Sequence, residues 1–87
     1  MSNMQQFFGF IVANLVVEGV SVHCWRANGL LLVTGVSGTH TATEQMPESD
    51  LEGKDSASVE IFAKLFVMGI GQRLRIHVLG SFGGSHG

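Results

Sequence analysis

Asn28-Gly29 lies between two runs of β-forming residues, and no other feature of the chain limits its fold so sharply. Both residues tolerate the positive φ that a two-residue type I′ turn demands, so the flanking runs must fold back on each other antiparallel. Before the turn, Val20, Val22 and Cys24 alternate with Ser21, His23 and Trp25, the period of a half-buried strand. After it, Leu30-Leu31-Leu32-Val33 is apolar without a break. A sheet begun in this way must bury its apolar face against another layer.

The N-terminal segment offers one cover. Residues 7–17 (FFGFIVANLVV) are apolar except for Asn14, and Glu18 is the only charge from Met1 to Trp25. Ser2 and Gln5 have the spacing of a capping box and Gly19 supplies a stop, which predicts a helix. The β-branched Ile11, Val12, Val16 and Val17 leave a strand as the competing reading. A membrane span needs about 20 apolar residues, and Asn14, Glu18 and His23 interrupt the run before that length. A shallower insertion of residues 7–17, led by Phe7, Phe8 and Phe10, is the alternative.

A second cover comes later. Residues 58–68 (SVEIFAKLFVM) begin after a polar run and end at Gly69. Val59, Phe62 and Phe66 with Ile61, Leu65 and Met68 form a broad helical stripe, and Glu60 and Lys64 pair at i, i+4. The same residues also fit a strand; the charge pair and Gly69 favour helix. Between the hairpin and this segment, residues 35–57 hold the only proline, Pro47, and the acidic Glu48, Asp50 and Glu52, so they predict a long polar loop with a short strand at most near Thr39 to Thr43. Arg73-Leu74-Arg75-Ile76-His77-Val78-Leu79 alternates with period two and predicts a strand with Leu74, Ile76 and Val78 inward. Residues 81–87 read as a flexible tail.

The expected architecture is α+β: one antiparallel-rich sheet of three to four strands with two helices on one face, forming a single domain over residues 1–80. If both ambiguous segments were strands, the fold would be all-β.

Composition narrows the function classes. Of 87 residues, 45 % are hydrophobic and only 14 % charged, against roughly 25 % charged in ordinary soluble domains. Such a surface calls for a partner. Five basic residues and a net charge of -2 are too thin a basic patch for phosphate-backbone binding, so no nucleic-acid partner is expected. A lone Cys24 rules out a disulfide-stapled scaffold and points to a reducing, cytoplasmic setting. No lysine or arginine precedes the first apolar run, which argues against a cleaved signal peptide.

The chemistry-bearing residues are scattered. His23 and Cys24 are neighbours on a strand and point to opposite faces, so they cannot easily share a metal ion. An inward Cys24 is desolvated and inert rather than nucleophilic. His40, between Thr39 and Thr41 and near Glu44, reads as a solvated loop histidine. Gly69-Ile70-Gly71 precedes a predicted strand instead of opening a helix, which is the reverse of a phosphate-binding loop. No catalytic residue, metal or cofactor is predicted, and the chain is not expected to be an enzyme.

Val17 to Val22 and Asn28 to Val33 resemble the first hairpin of roadblock-type dimerisation domains, and Arg73 to Val78 resembles a later strand of theirs; this implies a non-enzymatic scaffold. Phe62 to Ile70 resembles a segment of histidine phosphocarrier domains, but their phosphate-carrying histidine, followed by arginine and proline, has no counterpart, because His40 precedes Thr41-Ala42. The sequence thus predicts a protein-interaction or self-assembly module, an adaptor pairing with itself or another protein. Its candidate surface is Phe7, Phe8, Phe10, Trp25, Arg26, Arg73, Arg75 and His77.

Overall fold

A computed structural model describes residues 2–76. The elements run α1 (Asn3–Val16), β1 (Ser21–Ala27), β2 (Leu30–Ser37), β3 (His40–Pro47), a 3-10 turn (Glu48–Leu51) and α2 (Ser56–Leu74).

The first apolar segment is a helix because its ends and one face are satisfied that way. Gln5 N–H donates to Ser2 Oγ and Ser2 N–H donates to Gln5 Oε1, both at 3.1 Å, closing the capping box. At the other end Gly19 takes φ 83°, and the Val20 and Gly19 amides donate to the Leu15 and Val16 carbonyls at 3.2 and 2.9 Å. Phe7, Ile11 and Leu15, spaced by four, are fully buried. Phe7 is therefore a core residue, not part of an accessible surface, and the apolar stripe that membrane insertion would need is turned into the protein's own interior. Among the described residues no helix is long and apolar enough to cross a membrane.

The sheet is an antiparallel meander in the order β1-β2-β3. Asn28 (φ 53°) and Gly29 (φ 76°) are both left-handed, the type I′ geometry expected of them. A second tight turn was not legible: Gly38 has φ 61° while Thr39 stays at negative φ, the pattern of a type II′ turn. It pairs β3 along the whole of β2, from Ser37↔His40 to Leu30↔Pro47. The polar loop expected over residues 35–57 is thus a full edge strand followed by a 3-10 turn. Threonines and a lone Ala42 and Met46 suffice for such a strand, since only one face meets the core.

The last helix is longer than 58–68 at both ends. The Asp55 carboxylate accepts the Ser58 N–H at 2.8 Å and starts it, and it continues through Gly69 and Gly71 to Leu74. Over its described residues, Arg73 to Ile76, the expected strand does not form. Leu74, 3 % exposed, belongs to the last helical turn. Arg75 is left-handed (φ 60°), with the Ile76 and Arg75 amides donating to Gly71 and Gln72 carbonyls. Alternation over so few residues fits a helix end as well as a strand. His77, and with it the remainder of the expected strand and the tail, lies outside the described residues.

Both helices cover the same face, as expected. Leu31, Val33, Ala42 and Met46 point to that side and join Phe7, Ile11, Leu15, Val59, Ala63, Phe66, Val67 and Ile70 in one core. α1 lies over β1, and α2 over β2 and β3. The Phe7 and Phe66 rings meet edge-on, 4.9 Å apart, and lock the helices together. α2 approaches so closely that a Cβ on Gly35 would meet Ile70 Cγ2 at 2.9 Å and Val20 Cγ1 at 3.1 Å.

Candidate interaction surface

With both helices on one side, no described element covers the other side of the sheet. Its residues follow from the register: Ser21, Val36 and Thr41 in one row, His23, Thr34 and Thr43 in the next, then Trp25, Leu32 and Gln45, and finally Ala27, Leu30 and Pro47. None is Asp, Glu, Lys or Arg. The His23 and Trp25 rings lie 5.0 Å apart, and the Thr34 and Thr43 hydroxyls share a hydrogen bond of 2.9 Å. The two charged residues of the strands, Arg26 and Glu44, sit on the helix side. Arg26 pairs with Glu48 at 3.0 Å, and Glu44 with Arg73 at 3.1 Å.

The two sheet edges differ. In a two-residue hairpin the closing pair exchanges both backbone bonds, and bonded and non-bonded pairs then alternate. Starting from Ser37↔His40, the backbone of Thr41, Thr43 and Gln45 points away from β2 at the free edge of β3. Starting from Ala27↔Leu30, that of Val22, Cys24 and Arg26 points away at the free edge of β1. The β3 edge is blocked. Arg73 Nη1 donates to the Thr43 carbonyl at 2.6 Å, Pro47 has no N–H, and Glu44 directs a charge inward beside Gly69, where a Cβ would meet its Oε2 at 3.0 Å. These are the devices by which edge strands avoid pairing. The β1 edge carries one such charge, Arg26 on the helix side, but it has no proline, and among the described residues no hydrogen bond outside the β1–β2 ladder reaches the backbone of Val22, Cys24 or Arg26.

A further apolar stripe lies on α2, where Ile61, Leu65 and Met68 are 57, 57 and 47 % exposed. The Glu60–Lys64 pair expected there forms at 3.2 Å. Ile61, Leu65 and Met68 thus face outward, while Val59, Ala63, Phe66, Val67 and Ile70 make the buried stripe.

The structure separates the expected surface residues. Trp25 lies on the open sheet face, Phe8 and Phe10 are half-buried against the core, and Arg26 is tied to Glu48. Arg73 and Arg75 belong to the end of α2, with Arg73 beside β3 at the opposite edge from Trp25, so they do not form one cationic strip with it. Sequence reading overlooked Leu32, Thr34, Thr43 and Gln45. The signal available was the unbroken Leu30-Leu31-Leu32-Val33 run, which leaves apolar residues on both faces of a strand.

Cys24 is half-buried on the helix side of β1, and desolvation pushes its thiol up to about 11, which keeps it protonated at neutral pH. Among the described residues no three His, Cys, Asp or Glu side chains converge as metal ligands. A shallow depression of about 350 Å³ lies near the start of α1, between Ser2, Met4, Leu31 and Leu51, with the Arg26–Glu48 pair in its wall. Asn3 beside it is committed, donating to the Leu51 and Lys54 carbonyls.

No family model, curated protein or solved structure matches this chain. Arg73 and Leu74, at the start of the segment that resembles a later strand of roadblock-type domains, are helical.

Proposed function

We propose that the chain is a non-enzymatic protein-interaction module of the cytoplasm, an adaptor whose docking surface is the uncovered sheet face. One observation carries this reading. β2 is apolar on both faces, as strands are when covered on both sides, yet the protein's own helices cover only one. The open face also lacks the charges that ordinarily keep such a surface solvated. A protein partner laid over Trp25, Leu30 and Leu32 removes that apolar area from water at about 25 cal/mol per Å². A cytoplasmic setting accords with a single, unpaired thiol.

Leu32→Lys tests the reading. Leu32 is outside the core, so stability should change by no more than about 1 kcal/mol, while association, with itself or with a partner retained from cell extract, should fall at least tenfold. Association unchanged in this variant, followed by sedimentation and by partner retention, would remove the sheet face as the docking surface.

A further inference from the structure

From the contrast between the two sheet edges we infer that the chain pairs with a second copy of itself through β1, joining two three-stranded sheets into one of six strands. This rests on the interaction-module reading and names the partner.

Among the described residues, only the β1 edge is open. Its outward backbone groups belong to Val22, Cys24 and Arg26, and a two-fold axis at Cys24, the midpoint of Ser21–Ala27, makes them self-complementary. Cys24 then exchanges both backbone bonds with Cys24 of the second copy, and Val22 with Arg26 of the second copy. A C2 interface requires this reciprocity. The register opposes no like charges, since each Arg26 faces a valine and already has Glu48 as its counter-ion. On the open sheet face the same register sets His23 across from Trp25 of the second copy. This is a non-hydrogen-bonded pair, with Cα atoms about 4.5 Å apart and side chains in close contact.

A strand edge alone is too small for a stable dimer, which needs about 1,200–2,000 Å² buried in total. α1 supplies more. Gln6 bonds Ser56 at the start of α2, which fixes the flank of α1 that faces α2. At about 100° per residue, Phe8 and Val12 lie on the other flank, above the β1 edge, and both are half-buried. In the six-stranded arrangement these flanks from the two copies face each other across the axis. The outer sheet face becomes continuous from one copy to the other, with no charged residue on it.

Sedimentation equilibrium of the full chain should show a monomer–dimer equilibrium. Val22→Pro deletes an N–H that points out of the sheet, leaving the β1–β2 ladder whole, and should weaken dimerisation at least tenfold. In a dimer of mixed isotope labelling, an NOE should connect the His23 and Trp25 α-protons of different copies. The Val22, Cys24 and Arg26 amides should exchange more slowly as concentration rises, and the Thr41 and Gln45 amides should not. A dimer without the His23–Trp25 contact, or without that protection, overturns the proposal, and so does a strict monomer. The NOE and exchange measurements use the unaltered chain, so they decide the question even if Val22→Pro does not fold. A strict monomer whose partner binding is still abolished by Leu32→Lys would defeat β1 pairing and leave the interaction reading standing.

Discussion

The two faces of β2 carry similar residues and meet opposite fates. On one face Leu31 and Val33 are sealed under the helices, and Gly35 lets Ile70 approach within contact distance. On the other, Leu30, Leu32, Thr34 and Val36 have, among the described residues, only neighbouring strands beside them. Hydrophobicity alone does not separate these faces. Coverage is decided by where the two helices dock, and that depends on the small residue at 35 and on the apolar stripes of α1 and α2. The uncovered face is what remains available to a partner.

The comparison can be broken first from the covered side. Phe7→Ala removes the ring that joins α1 to α2 and should cost about 3–5 kcal/mol, a large part of the about 5–15 kcal/mol that holds a typical domain together. Chemical denaturation would show it as a lower midpoint. An equal loss from Trp25→Ala on the open face would mean that the two faces are equally buried.

Gly35→Val should cost about 1–3 kcal/mol by overpacking against Ile70, Val20 and Leu74, with the denaturation midpoint again the readout. Thr34→Val, one residue away on the open face, should stay within about 0.5–1 kcal/mol. If Gly35→Val were neutral, α2 would not be held against β2 as tightly as its distances indicate.

The smallest effect concerns Cys24. Burial raises its thiol from 9.0 to about 11, so the unfolded chain ionises before the folded one. The stability this contributes is complete below pH 9 and is lost as the pH climbs through 11. Cys24→Ala should flatten that alkaline decline relative to the unaltered chain in thermal melts across pH 8–11. An identical decline in both would show that the helix side of β1 is wet.

Several elements were legible because their causes are local. The Ser2–Gln5 box, the Gly19 stop and the Asn28-Gly29 turn each act within a few residues. The full length of β3 and the C-terminal end of α2 were not. His40 to Pro47 is mostly polar, and nothing in it states that β2 is waiting alongside. Gly69 looked like a helix stop, but it sits inside α2 where the Glu44 side chain lies against the helix. Of the expected surface residues, Trp25 lies on the open sheet face, while Phe7 lies in the core. An apolar segment does not announce which of its rings will turn inward.

The sequence by itself determined a β-hairpin and favoured a capped N-terminal helix, a second helix around residues 58–68 and an α+β composition, because turn chemistry, capping and helical periodicity are properties of neighbours along the chain. Tertiary structure alone decided that β3 pairs along the whole of β2, that Arg73 closes the β3 edge while β1 stays open, and that a charge-free face is left over. Those outcomes depend on groups tens of residues apart meeting in space, and no local pattern encodes that meeting.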